Sequence, residues 1–245
     1  MEHHVCASGL PRLGLIGFGA FGRLIACHLR HHFRILAHDP AADSLPIDGV
    51  DLVGIAEAAA CPFVILAVPV DRLADAVDRV APHVKPGALI FDVGSVKMMP
   101  AQILAQRLPD HVDIIATHPL FGPQSAKNGL AGLKIVLCPL RGERTRRTIA
   151  FLRHHLGLEV ILTTPEAHDR ETALSQGLTH LIAQMVIGMG PLPREITTRS
   201  FGLLMEAVDM VRHDAPEIGA AIARDNPFSA DVRQRFLNLA QTVMP

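Results

Sequence analysis

From Leu13 to about Thr163, short apolar runs alternate with amphipathic stretches. The runs RLGLIG, FRILAHD, PFVILAVP, ALIFDV, VDIIA, KIVLC and LEVILT are rich in Ile, Val and Leu, and several are apolar at consecutive positions. Strands covered by helices on both faces must look like this. Between them, FGRLIACHLRHH, VDRLADAVDRVAP, PAQILAQRL and ERTRRTIAFLRHHL carry apolar residues three and four apart, the spacing of a helix with one face on a sheet. The alternation predicts a doubly wound, Rossmann-type α/β domain. After Thr163 the strands stop. Thr164 can cap a helix whose first position is Pro165 and which runs to about Gly188. TTRSFGLLMEAVDMVRH, PEIGAAIARD and ADVRQRFLNLAQTVM follow as further helices. The expected division is an α/β domain over 1–163 and an all-helical domain over 164–245. So few helical residues cannot bury such apolar faces alone, which predicts a homodimer through the helical part.

Composition narrows the function classes. The chain has 245 residues, 49% hydrophobic, with 23 Lys and Arg against 24 Asp and Glu. That is ample for a core, and a net charge of -1 gives no basis for nucleic-acid binding. Cys6, Cys27, Cys61 and Cys138 lie far apart with no CxxC, which fits small hydrophobes packed in a protein of the reducing cytoplasm. No apolar leader or membrane-length run is visible. With no Tyr and no Trp, an acid or base working near neutral pH must be His, Cys, Asp, Glu or Lys. Fourteen histidines make any one of them uninformative by itself.

The first strand runs into Gly17-Phe18-Gly19-Ala20-Phe21-Gly22, a GxGxxG between strand and helix. Gly17 permits the tight turn, Gly19 lets the backbone approach a pyrophosphate, and Gly22 lets the helix sit close to the sheet. Asp39, at the end of the second strand, is placed to accept hydrogen bonds from the adenosine ribose and to repel a 2'-phosphate. No arginine adjoins it, so NAD is expected rather than NADP. Ala67-Val68-Pro69 forms another strand end on the cofactor side.

Two more strand ends carry polar groups, FDVGSVK with Ser95 and ATHPLFG with His118, and ligands of such sheets sit at the carboxyl ends of the strands. Together GFGAFG, AVP, DVGSVK, THPLFGPQSAKNG and HDRETALSQGLTH resemble the prephenate and arogenate (cyclohexadienyl) dehydrogenases of tyrosine biosynthesis, most of all the plant-type arogenate branch. The resemblance covers nearly the whole chain in order. The THPLFGPQSAKNG loop is specific, whereas the glycine motif is widely shared. The resemblance implies oxidative decarboxylation of a small-molecule 4-hydroxycyclohexadiene. His118 would be the catalytic base and Ser95 its hydrogen-bonding neighbour, touching the cofactor too. Gln124 and Ser125 would lie in a loop able to close over substrate.

On the helix from Pro165, His168, Thr172, Gln176, His180 and Gln184 recur every four residues, ~40° apart on the helix surface. Such a stripe is usually the solvated side. His180 is the exception, because GLTH resembles the family's substrate-contacting segment; a second histidine of that segment in some members is Gly177 here. The resemblance further makes Arg199 the candidate for a substrate carboxylate, with Arg194 its rival. Asp214 falls where plant-type arogenate enzymes carry a selecting carboxylate, although it could equally cap the helix that follows. Arogenate is thus favoured over prephenate. Another hydroxyacid or imino-acid dehydrogenase would share the glycine motif without needing His118, and a non-catalytic dinucleotide sensor would need neither His118 nor Ser95.

Overall fold

The structure, a computed structural model, describes residues 9–41, 47–212, 214 and 216–243. Its eight strands are β1 (Arg12–Ile16), β2 (Arg34–His38), β3 (Val50–Leu52), β4 (Phe63–Leu66), β5 (Leu89–Asp92), β6 (Asp113–Pro119), β7 (Lys134–Arg141) and β8 (Glu159–Leu162). They form one sheet in the order β3-β2-β1-β4-β5-β6-β7-β8. Every neighbouring pair is parallel except β6 and β7. This is the Rossmann-type architecture the alternating pattern predicts. Two elements have no counterpart in that pattern: β3, a three-residue strand with no buried residue, and the single-turn helix α2 (Ile55–Ala59).

Helices α1 (Ala20–Leu29), α3 (Leu73–Val80), α4 (Met98–Arg107) and α5 (Thr145–Leu156) occupy the amphipathic stretches. Strand alternation sends successive side chains to opposite faces. Ile16, Val64, Ile90, Ile114 and Ala116 pack in one core with Ala58, Val77 and Leu104 of α2, α3 and α4. Leu13, Leu15, Ile35 and Ile65 pack with Ala26 and Leu29 of α1 in another. Cys61 and Cys138 are buried among these hydrophobes, but Cys27 is exposed, against the expectation that all the cysteines are packed inside. Cys27 sits on the outer side of α1, one residue past the buried Ala26, and Cys6 lies outside the described residues.

The chain folds into two compact units, 1–94 with 99–164, and 95–98 with 165–245. The second unit is helical: α6 (Pro165–Thr172), a π turn over Ala173–Gly177, α7 (Leu178–Gly188), α8 (Arg199–Arg212), α9 (Pro216–Ala220), a second π turn over Ala221–Asp225, and α10 (Ser229–Val243). Here His168 and Thr172 depart from the expectation of a solvated side, from which His180 is already set apart. His168, Thr172 and His180 are buried, and only Gln184 is exposed. The wide π turn advances through less angle per residue than an α-helix, which offsets the ~40° drift at each four-residue step and returns His180 to a buried face. Among the described residues no helix is long and apolar enough to cross a membrane.

Candidate functional site

The glycine loop has the geometry its spacing predicts. Gly17 has φ +98°, a region side chains rarely adopt, and a Cβ there would lie 2.6 Å from the Ala67 carbonyl carbon and 3.1 Å from Val68 N. Ala67 and Val68 therefore crowd Gly17, while the adjoining Pro69 is exposed. A Cβ on Gly22 would collide with the Gly17 carbonyl oxygen, so this glycine lets α1 start directly against the loop. Gly19 differs. It is the N-cap of α1, with no side-chain cap, and a Cβ on it would meet nothing within 4 Å. Ala20 beside it is exposed, whereas Phe18 is buried and Phe21 half-buried. The free backbone N–H groups at the start of α1 and the open space before them suit a phosphate anion. These residues fit a dinucleotide.

Asp39 accepts a hydrogen bond from Phe18 N–H at 2.7 Å and another from Ala41 N–H at 2.8 Å. It ties the end of β2 to the glycine loop. Each carboxylate oxygen keeps a lone pair, so ribose hydroxyls can still be accepted. His38 before it has Nδ1 3.0 Å from the Val53 carbonyl, which assigns the proton to Nδ1.

His118 lies inside β6, paired with Val136 of β7, and is buried at 3% exposure. The histidine therefore does not end its strand, as the THPLFG pattern suggests; pairing with the antiparallel β7 carries β6 on through Pro119. It shares a face with Ala116, whose partner on β5 is Asp92. The buried Asp92 carboxylate accepts bonds from Thr117 N–H at 3.2 Å and Gly94 N–H at 3.0 Å, and the Thr117 hydroxyl donates back to the Asp92 carbonyl. Asp92 thus holds the backbone immediately before His118. Neither it nor Thr117 stands out in sequence, since a polar residue at a strand end has no period to betray it. The loop after Pro119 is anchored by buried Ala126 and Leu130. Ser125 exchanges hydrogen bonds with the Gly122 backbone, and Gln124 and Ser125 are exposed.

An apolar cavity of about 300 Å³, lined among others by Phe63, Phe91 and Phe151, lies on the opposite face of the sheet, where Thr117 and Pro119 point. It has few polar groups to orient a polar substrate, and His118 does not line it.

In the second unit the structure brings together two residues singled out from sequence: His180 Nε2 is 3.5 Å from Asp214 Oδ2. Burial pushes the His180 imidazole down from its ordinary value, partly opposed by Asp214. Burial likewise pushes the Asp214 carboxyl up, partly opposed by His180. Asp214 is thus placed beside His180. Arg199 begins α8 and is exposed, as is Arg194. Neither makes an ion pair among the described residues. Arg233, unremarked in sequence, lines a cavity of about 50 Å³ together with His180, Gln184 and Ser229. Ser95 belongs to this unit, and the same short segment contains Lys97, fully buried, whose backbone N–H reaches Asp169. No cluster of metal-ligating side chains occurs among the described residues.

The family model for the prephenate dehydrogenase nucleotide-binding domain matches residues 47–156. A protein of Methanocaldococcus jannaschii named a probable arogenate/prephenate dehydrogenase is 28% identical over 195 residues, 74% of this chain and 42% of that protein. Arogenate dehydrogenase 2 of Arabidopsis thaliana is 28% identical over 247 residues, 94% of this chain and 68% of that protein. This chain thus spans under half the length of the archaeal relative and about two thirds of the plant one. Among solved structures, the A. aeolicus prephenate dehydrogenase complexed with hydroxyphenyl propionate and NAD+ superposes with TM-score 0.77 at 19% identity, covering 97% of this chain and 91% of that one. The Synechocystis arogenate dehydrogenase gives TM-score 0.69 at 20% identity, covering 94% and 90%. These two likenesses establish the fold.

Proposed function

We propose that the chain is a member of the prephenate/arogenate dehydrogenase family, whose nucleotide-binding model matches residues 47–156, and that it catalyses the NAD-dependent oxidative decarboxylation of L-arogenate to L-tyrosine, with prephenate as the alternative substrate. The observation that carries this reading is the pairing of Asp214 with His180 in a chain that also holds the family's histidine, His118, on β6. Bound NAD supplies the acceptor for the hydride that leaves ring C4 as the substrate loses CO2 and becomes aromatic.

The residues of the chain do the rest. Gly17, Gly19, Gly22 and the start of α1 hold the pyrophosphate, with Phe18, Ala20 and Phe21 shaping the loop and Ala67, Val68 and Pro69 closing the neighbouring strand end. Asp39 takes the ribose hydroxyls and disfavours a 2'-phosphate. His118 takes the proton from the ring hydroxyl, and Ser95 hydrogen-bonds to the same oxygen. A neutral imidazole suits that task, with an ordinary pKa near 6.5. Asp214 faces the ammonium of arogenate, where prephenate has a keto group and would leave the carboxylate without a partner. His180, whose pKa is lowered by burial, acts there as a neutral hydrogen-bonding group. Arg199 supplies the cation for a substrate carboxylate, with Gln124 and Ser125 contributing from the loop.

The helical unit is the dimer interface in this reading. Most of the large hydrophobic side chains that remain exposed lie there, including Met189 at 76%, Ile196 at 93% and Met210 at 60%.

NADH formation with arogenate and prephenate side by side, each with NAD and with NADP, tests the assignment. The expected order is arogenate with NAD above all other combinations, and Asp214→Asn should lower the arogenate rate while raising the prephenate rate. A parent chain that prefers prephenate, or an Asp214→Asn loss equal on both substrates, refutes the role of Asp214.

A further inference from the structure

The second unit contains a buried carboxylate that the proposed chemistry does not use. Asp169, on α6, is 0% exposed. Removing a carboxylate from water is costly unless donors replace the water, and three do so. Oδ1 accepts the Lys97 backbone N–H at 2.7 Å and the His168 Nδ1–H at 2.8 Å, and Oδ2 accepts the Met98 backbone N–H at 2.8 Å. Since an ionised carboxylate only accepts, the His168 hydrogen bond assigns a proton to Nδ1.

The carboxylate is itself held in place. Asn226 Nδ2 donates to the Asp169 backbone carbonyl at 2.8 Å and to Thr172 Oγ1 at 3.3 Å, and the Thr172 hydroxyl donates to the His168 carbonyl at 3.0 Å. His168, Thr172 and Asn226 are all buried. Asp169 grips Lys97 and Met98, the latter being the first residue of α4. Its role resembles that of an N-cap, a carboxylate over free N–H groups at a helix start, except that it comes from a residue 71 and 72 positions away.

The gripped segment is only four residues long, and Ser95 is its first residue. One residue, Val96, separates Ser95 from the first gripped amide, that of Lys97. A backbone held by two charge-assisted bonds at this distance restricts where the serine can sit.

We propose that Asp169 is a positioning residue for Ser95: its carboxylate, steadied by His168 and Asn226, clasps the Lys97 and Met98 amides and so fixes the turn that presents the serine hydroxyl. This rests on the dehydrogenase reading above. Small misplacements of a group engaged with the reacting atoms carry large rate penalties.

Two measurements test the proposal. The first is hydrogen exchange at the Lys97 and Met98 amides, which needs no activity. Asp169→Asn puts an NH2 against one of the two backbone donors, and exchange at these amides should rise at least about tenfold while strands β4 and β5 keep their protection. The second is a double-mutant cycle on kcat. Asp169→Asn should lower kcat roughly 10- to 100-fold in the parent with the Michaelis constant for NAD unchanged. In a Ser95→Ala background the same substitution should change kcat by less than about threefold. Should Asp169→Asn not fold, His168→Gln carries the same cycle at smaller amplitude. Equal losses with and without the serine, or unchanged exchange at Lys97 and Met98, overturn the proposal. A parent chain that forms no NADH with either substrate removes the dehydrogenase reading, and exchange then decides alone whether the clasp exists.

Discussion

Gly17 and Gly19 stand two residues apart in one motif, yet alanine should do opposite things at the two positions. At Gly17 it must adopt φ +98°, a strain of about 1–3 kcal/mol. Its Cβ must also displace the Ala67 and Val68 backbone, the nearer carbon being 2.6 Å away, and overpacking against a rigid wall adds about 1–3 kcal/mol. The two together lower the melting temperature by on the order of 5–20 °C. At Gly19 a Cβ meets nothing within 4 Å and φ is already -69°. The reduced entropy of the unfolded chain and the poorer capping by alanine nearly cancel, leaving stability within about 1 kcal/mol. The added methyl would instead stand in the space through which a pyrophosphate approaches the amides of α1. Loss of a charge-assisted backbone hydrogen bond of about 1.5–3 kcal/mol weakens NAD binding roughly 10- to 150-fold. The chain has no tryptophan, so calorimetric titration is the suitable binding assay, with thermal melts beside it. A Gly19→Ala protein that binds NAD as the parent does, or a Gly17→Ala protein with an unchanged melt, refutes the reasoning.

Removing the imidazole of His118 with His118→Asn should depress turnover by about 100- to 10,000-fold while NAD affinity measured by calorimetry stays put; turnover within a few-fold of the parent would make the histidine a packing residue. For His180, the lowered pKa means that its contribution to stability is fully present above pH 6.5 and is lost as pH falls through its folded value. The raised pKa of Asp214 works in the other direction, its contribution being lost as pH rises through its own folded value. The melting temperature of the parent should therefore fall more between pH 7.5 and 5.5 than that of His180→Gln, and parallel profiles would contradict this. In sedimentation velocity the parent should run as a dimer and Leu203→Glu/Met210→Glu, which charges two exposed positions of α8, as a monomer; a parent that is monomeric at tens of micromolar removes the proposed interface.

The pattern of apolar positions marks seven of the eight strands because each of those carries a run of apolar residues over four or more positions, including β8, none of whose residues is buried. β3 escapes it because its three residues, with Asp51 at the centre, are too few to make a run, and nothing in KIVLC tells that β7 runs antiparallel to β6, because strand direction leaves no trace in hydrophobicity. GxGxxG is legible because Gly17 and Gly22 answer local backbone demands. Asp92, Asp169 and Asn226 are not, because what each one holds lies 25, 72 and 57 positions away. The four-residue stripe from His168 misled because the partners that let His168 and Thr172 be buried, Asp169 and Asn226 among them, leave no mark in spacing, and the π turn over Ala173–Gly177 that precedes His180 leaves none either.

The chain leaves its first unit after Gly94, contributes four residues to the second, and returns at Met99 long before the final passage at Thr164. The two units are therefore not exchangeable modules joined by one hinge. A chimera cut only at Thr164 would pair a borrowed helical part with a foreign Ser95–Met98, and Asp169 of one parent would have to fit the turn of the other. Recombination between relatives, in the laboratory or in descent, should succeed where the tetrapeptide travels with the helices and fail where it is left behind.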